Sequence, residues 1–385
     1  MGLAAEFKQF VRNHIPEAIV DGQPADICVI DAMCSLRGFS PDCDPGISTR
    51  PLDALVTRIF DGVVAACAPK CTLLVVFDRQ RSTTRMKENE QQKRNVKRAR
   101  PGAAPKEWTV AETEAMLAAR TLPEGAEWGN LLDNREMRSL VVQAIADTLF
   151  ARFRDGDQAM DRVGRLVVVN GRIAADLERG YGPRAETADR VDSARREVGI
   201  DEAPWTGEAD VAMARWVRIL LEEHRGAPID PPRVAVHTVD TDIVPIFMMH
   251  GGKNCIVHLS APNPQHRMRI GMHALANAFS KEYGLRPEEA VVVAISKKTD
   301  FTKACLKGLP DWHTTMKLAG EHLRLRRDET LVRAGMLNLP MFLRMLDAVA
   351  VVASNKRKVV VASLKADDTQ RLRFVTKYWL QLEAE

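Results

Sequence analysis

The chain has 385 residues, of which 45% are hydrophobic and 28% are charged, so it is long and apolar enough to bury the core of a globular protein. No apolar run reaches the roughly 18 residues that a membrane-spanning helix needs, and the first residues lack the basic and apolar segments of a secretion signal. We therefore expect an intracellular protein with no transmembrane segment and no membrane contact. The net charge of +4 is small and excludes a uniformly basic protein.

Short apolar runs rich in β-branched residues recur along the chain and predict strands. Apolar residues at helical spacing fill the stretches between them, for example before the second run and after Asp210. This alternation predicts an α/β fold in which helices flank a mainly parallel central sheet. The predicted strands cover residues 27–30, 72–77, 165–169, 233–238, 254–258 and 290–295.

Two regions depart from the alternation. Residues 101–160 contain two predicted helices, at 110–119 and 135–153, and we interpret this region as a helical cap or insertion. From residue 302 onward the chain is predicted to be mostly helical, with a break at Pro340. The predicted organisation is an α/β domain over 1–310, made of an N-terminal segment at 1–100, the cap at 101–160 and an internal segment at 161–310, and then a mostly helical C-terminal region at 311–385.

Acidic residues follow several of the predicted strands and short apolar runs. A carboxylate at the end of a buried strand gains little from packing and costs desolvation unless a cation meets it. The carboxyl ends of parallel strands open on one crevice, so we expect these carboxylates to converge there and to bind hard divalent cations through oxygen. The set consists of Asp31, Asp78, Glu208, Asp210, Asp240, Asp242 and Asp300.

Several of these acids also have a purely structural alternative when taken singly. Glu208 and Asp210 could complement the N-terminal end of the helix that follows them, Asp240 could be a turn residue, and Asp300 could cap a helix. Taken as a set without His or Cys, the acids favour Mg²⁺ or Mn²⁺ over zinc. Two such ions supply what phosphodiester hydrolysis needs, on either side of the phosphorus.

Positive charge is concentrated in residues 79–100, which hold nine Lys or Arg and two Glu. We predict a helix here. A solvated surface helix is the alternative, but so many like charges repel one another, and a phosphate backbone would relieve that repulsion. The segment therefore predicts contact with nucleic acid.

The remaining chemical motifs are weak. The chain has seven cysteines and no C-x-x-C spacing, so we predict buried free thiols, with a structural zinc site as the alternative. We interpret His237, His250 and His258 as structural residues beside strands. Neither a P-loop motif nor a dinucleotide-binding glycine motif is present in the sequence.

In order and spacing these motifs resemble the flap endonuclease family of structure-specific 5′ nucleases, which have a PIN-like fold. The resemblance covers roughly residues 1–310, and all seven positions expected to hold carboxylates do so. It rests on Met1-Gly2-Leu3, on Asp31 after its strand, on Val76-Phe77-Asp78 followed by basic residues, on Gly207-Glu208-Ala209-Asp210, on Thr238-Val239-Asp240-Thr241-Asp242 and on Thr299-Asp300-Phe301.

The resemblance implies a Mg²⁺-dependent enzyme, with Mn²⁺ able to substitute, that cuts DNA near the junction of single and double strands in replication, repair or recombination. It implies that Asp31, Asp78, Glu208 and Asp210 surround one metal ion, and that Asp210, Asp240, Asp242 and Asp300 surround a second. It also implies a nuclear location or a viral replication compartment. Nucleic-acid contacts are expected at Gly2, Arg37, Arg85, Lys87, Lys93 and Arg94, of which Arg85 occupies the place of a family lysine.

Three departures limit what carries over. Arg37 stands at the offset where the family has an aromatic residue that stacks on a base. The family's duplex-binding helix-two-turn-helix is reduced to the stretch from Lys307 to Trp312, and the C-terminus lacks the sliding-clamp box. The run Phe77-Asp78-Arg79 and the reduced duplex-binding motif favour the divergent branch of the family found in large DNA viruses.

Two alternatives remain at this stage. The first is an RNase of the same fold, of the host-shutoff type, acting on RNA instead of DNA. The second is a non-catalytic PIN-like scaffold, although such proteins usually lose metal ligands and this chain keeps all seven.

Overall fold

The computed structural model describes residues 6–38, 56, 60, 62–77, 109–118, 132, 135–170, 173–179, 187–189, 209–224, 230–261, 264–297, 299, 302–308, 311–326, 329–354 and 358–381. The chain divides into two compact units. The first, called here the sheet unit, comprises Gln23–Trp216 and Pro232–Thr238. The second, called the helical unit, comprises Met1–Gly22, Val217–Pro231 and Val239–Glu385.

The sheet unit is built on strands that lie in the order β5-β4-β3-β2-β1-β6. The four strands β3, β2, β1 and β6 run parallel, and β4 and β5 add antiparallel pairings at one edge. The parallel strands carry nearly continuous apolar runs, as expected for strands covered on both faces. Their bounds are Ala25–Asp31 for β1, Cys67–Phe77 for β2, Val163–Asn170 for β3, Ile173–Arg179 for β4, Thr187–Asp189 for β5 and Val234–Thr238 for β6.

Helices of this unit connect and cover the strands. Helix α2 (Ala32–Gly38) follows β1 directly, and α3 (Val110–Ala118) and α4 (Arg135–Arg154) lie between β2 and β3 in the chain. Buried residues of α4, such as Ile145 and Phe153, join the core formed by β1, β2 and β3. The predicted α/β fold with a mainly parallel sheet is thereby confirmed, and the domain boundaries stay a prediction.

Helix α5 (Ala209–Glu223) begins in the sheet unit and ends in the helical unit. The helical unit otherwise consists of helices with short strand pairs. Strands β7 (Cys255–Leu259) and β8 (Met268–Gly271) pair antiparallel, as do β9 (Leu306–Lys307) with β12 (Val360–Val361) and β10 (Val332–Arg333) with β11 (Met336–Leu337). Its helices are α1 (Glu6–His14), α6 (Ile243–His250), α7 (Met272–Ala278), α8 (Pro287–Lys297), α9 (Trp312–Arg324), α10 (Leu339–Ala353) and α11 (Ala366–Gln381).

An aromatic cluster fills the core between α1, α9 and the π-helical turn after α7. The ring centroids of Phe10 and Phe279 are 6.2 Å apart in a stacked arrangement, and Trp312 meets Phe7 edge-on at 5.2 Å. Such pairs add to the free energy that burial of their area already contributes. Within the described ranges, no helix is both long and apolar enough to cross a membrane.

Two sequence predictions are wrong in this unit. Residues 290–295 were expected to form a strand but lie inside α8, whose buried side chains run from Glu289 to Ser296 without a break. A helix buried on all sides shows no periodicity, so its valine-rich run is indistinguishable from a core strand. The helix around Pro340 is not broken there either, because Pro340 lies in the first turn of α10, where its missing N–H costs nothing.

Candidate active site

Asp31 is the last residue of β1, a central strand of the parallel sheet, and it is only 4% exposed. Its Oδ2 accepts a hydrogen bond from the Thr238 hydroxyl at 2.9 Å, and its Oδ1 accepts one from the Cys34 N–H at 3.1 Å. Thr238 ends β6, the parallel neighbour of β1. A hydroxyl at the end of the neighbouring strand and a backbone N–H of α2 therefore orient this buried carboxylate.

The bond from Cys34 also makes Asp31 the N-cap of α2, which is a structural role. A carboxylate offers about four acceptor sites, so one carboxylate can accept hydrogen bonds and bind a cation at the same time. The same side chain can thus cap a helix and serve as a metal ligand.

Asp240 and Asp242 follow the end of β6 along the chain. Asp240 Oδ1 accepts a hydrogen bond from the Asp242 N–H at 3.0 Å, so the predicted turn role of Asp240 is present in the geometry. Asp242 is 1% exposed and precedes α6, yet its side chain makes no capping bond to that helix. Burial of this carboxylate carries a desolvation cost that helix capping does not offset.

Asp210 lies half-buried in the first turn of α5, where a negative charge favours the positive end of the helix dipole. Arg37 lies in α2. The other predicted site residues lie outside the ranges that the structure describes: Asp78, Glu208, Asp300, Gly2, Arg85, Lys87, Lys93 and Arg94.

The described acids offer oxygen ligands alone, and carboxylate oxygen suits Mg²⁺ or Mn²⁺. Their donor chemistry therefore fits the predicted ions. We searched the described side chains for groups of three or more His, Cys, Asp or Glu residues whose ligand atoms all lie within 4.8 Å of one another. Among these side chains, one such group is present, and it consists of cysteines. Its members are Cys28, Cys67 and Cys71, which the sequence analysis expected as buried free thiols, with a structural zinc site as the alternative.

His250 and His258 are two of the three histidines that we interpreted as structural residues. Burial lowers the pKa of His250 and of His258 to about 4, so both rings are neutral at pH 7. His250 Nε2 lies 2.8 Å from the Trp379 carbonyl oxygen, which ties the end of α6 to α11.

No family model matches the chain, and a search of curated proteins found no match. Among solved structures, the chain is similar to "the catalytic core of Rad2 in complex with DNA substrate", with a TM-score of 0.43 and 13% identity, covering 98% of this chain and 87% of that one.

Proposed function

We propose that this chain is a Mg²⁺-dependent, structure-specific 5′ nuclease that hydrolyses phosphodiester bonds of flapped or branched DNA. The observation that carries the proposal is the buried carboxylate of Asp31 at the carboxyl end of β1, hydrogen-bonded to Thr238 at the end of β6. In open parallel sheets, ligands bind in the crevice at the carboxyl ends of the strands. The chain leaves β6 at its carboxyl end and continues into Asp240 and Asp242.

The acids have distinct roles in this proposal. Asp31, with Asp78 and Glu208, would hold one ion, Asp240, Asp242 and Asp300 would hold the other, and Asp210 would contribute to both. When bound, such a pair of ions lowers the pKa of an attacking water and stabilises the charge on the phosphoryl oxygens. Thr238 and the Cys34 N–H keep Asp31 in one orientation, so less ordering is needed when substrate arrives.

Substrate binding in this proposal rests on charge. The basic segment at 79–100 begins two positions after Phe77, the last residue of β2, which is the parallel neighbour of β1. Basic residues that begin there would hold a DNA backbone beside the end of β1. Counterion release makes such binding sensitive to salt.

The test is product mapping on a 5′-flap, a nicked duplex and a single strand, each made as DNA and as RNA, with Mg²⁺, Mn²⁺ or EDTA. We expect metal-dependent cutting of the DNA flap near its junction. Asp31→Asn and Asp240→Asn should each lower kcat by at least about a hundredfold, the scale on which loss of a charge-stabilising group acts. Asp347→Asn, an exposed position of α10, is the matched control and should keep wild-type activity.

Cutting by Asp31→Asn and Asp240→Asn at the wild-type rate would contradict the proposal. Faster cutting of the RNA substrates than of the DNA substrates would show that the same site acts on RNA. Failure of calorimetry to detect Mg²⁺ or Mn²⁺ binding, together with absence of cutting, would favour the scaffold alternative.

A further inference from the structure

Three cysteine side chains meet in the core of the sheet unit. Cys28 lies on β1, and Cys67 and Cys71 lie on β2; all three are at most 1% exposed. Their sulfur atoms lie within 4.8 Å of one another, and the Cys67 and Cys28 sulfurs are 2.9 Å apart. Cysteine sulfurs lie this close together when they are hydrogen-bonded, joined by a disulfide or bound to the same metal ion.

A local distortion of β2 creates the cluster. Ala25 of β1 pairs with Cys67, but Ile27, two residues on, pairs with Thr72, so β2 carries three extra residues at this point. Lys70 within them has a φ of 64°, the left-handed region that a lysine adopts at a cost. In a regular strand, residues four apart would stand about 13 Å from each other. The bulge instead places both cysteines beside Cys28.

The charges around the cluster favour a thiolate. Arg162 Nη1 donates a hydrogen bond to the Cys67 carbonyl oxygen at 2.9 Å, so a guanidinium lies beside the cluster. A positive charge beside a thiol favours its thiolate form. A negative sulfur in a buried site is a ready ligand for a soft cation.

We propose that Cys28, Cys67 and Cys71 bind one thiophilic metal ion of the Zn²⁺ or Cu⁺ class, which clamps β1 to the bulge of β2. Thiolates are the ligands that such ions prefer. Zinc–sulfur bonds of about 2.3 Å in tetrahedral geometry place the sulfurs about 3.8 Å apart, so binding would widen the 2.9 Å separation of the Cys28 and Cys67 sulfurs and keep all three within 4.8 Å of one another. A disulfide between Cys28 and Cys67 would leave the third cysteine, and the bulge that brings it there, without a role.

The site is separate from the proposed nuclease centre. Cys28 precedes Asp31 by three positions on the same strand, which is about 10 Å along β1. The ion would therefore act on stability, because ligands brought together only by the folded sheet convert binding free energy into folding free energy. Each thiol that binds the ion as a thiolate would release its proton to the solvent.

The experiment measures metal content and stability in the full chain, without reference to nuclease activity. The protein is purified under reducing conditions, stripped with a chelator, and supplied with Zn²⁺ or Cu⁺ in separate samples before removal of unbound metal. Elemental analysis should give about one ion per wild-type chain and less than about a tenth of that in Cys28→Ser or Cys71→Ser. The sample that retains about one ion per chain identifies which of the two metals the cluster binds.

Cys255→Ser and Cys305→Ser are matched controls, because both cysteines are buried, belong to the helical unit and lie outside the cluster. They should keep the wild-type metal content. Stripping should lower the midpoint temperature of the wild type and leave that of Cys71→Ser unchanged. If Cys28→Ser fails to fold, the change in midpoint temperature of the wild type and the metal content of Cys71→Ser still test the proposed site.

Three results would overturn the proposal: no tight binding of either ion to the wild type, equal metal content in the cluster variants and the controls, or a Cys28–Cys67 disulfide found by mass spectrometry in protein purified without reductant.

Discussion

Replacing Thr238 by valine tests the link between the two strand ends at the candidate site. The side chains of Thr238 and Asp31 are 2% and 4% exposed, and the hydroxyl donates to Asp31 Oδ2 at 2.9 Å. Valine keeps the shape of threonine but removes the donor. A hydrogen bond to a charged group contributes about 1.5–3 kcal/mol, and its loss leaves a buried acceptor short of a partner. We therefore expect Thr238→Val to lower the free energy of unfolding by about 2 kcal/mol.

The assay is urea unfolding at pH 7, with Thr238→Ser as the control that retains the hydroxyl. A double-mutant cycle with Asp31→Asn isolates the pairwise contribution and should give a coupling energy of at least about 1 kcal/mol. If the valine and serine variants agreed within about 0.5 kcal/mol, the hydroxyl would contribute nothing measurable and our account of how Asp31 is oriented would be refuted.

Two further predictions concern the packing of α9 and the pH dependence of stability. A Cβ on Gly320 would overlap the Tyr283 carbonyl oxygen, so Gly320→Ala should destabilise the chain by about 3 kcal/mol in thermal unfolding. Gly62→Ala is the contrast: it is helical with no atom within 4 Å of its added Cβ, and it should gain about 0.5–1 kcal/mol. Because burial lowers the pKa of His250 to about 4 from an ordinary 6.5, the unfolded chain binds more protons between these values. The contribution of this histidine to the free energy of unfolding is therefore complete above pH 6.5 and falls by up to about 3 kcal/mol toward pH 4. In urea unfolding, His250→Gln should reduce the dependence of the free energy of unfolding on pH between these values. An unchanged pH dependence would show that His250 is not responsible.

The central strands were predictable because their signal is local. Apolar, β-branched runs predicted strands at β1, β2, β3 and β6, and each predicted range lies inside the observed strand or within one residue of its bounds. Strands β4 and β5 were not predicted because they are short or mix polar with apolar residues. Helix α8 was mistaken for a strand because burial on every side removes the helical period.

The site was only partly predictable. Position at a strand end is a local property, and Asp31 lies where its preceding apolar run indicated. Its partner Thr238 depends on which strand neighbours β1, and the sequence pattern contains no information on that pairing. The cysteine cluster was missed for the same reason: it needs both a bulge of three residues and the β1–β2 register.

The pairing of β1 with β6 has a consequence for synthesis on the ribosome. Thr238 follows Asp31 by 207 positions, so one edge of β1 has no strand to meet until the chain beyond β6 has emerged. At about 5–20 residues per second, that interval lasts on the order of 10–40 s. During it, the apolar run Val29-Ile30 offers unpaired N–H and C=O groups of the kind that join chains edge to edge. Nascent chains paused before residue 238 should therefore depend on chaperones more than those released after it.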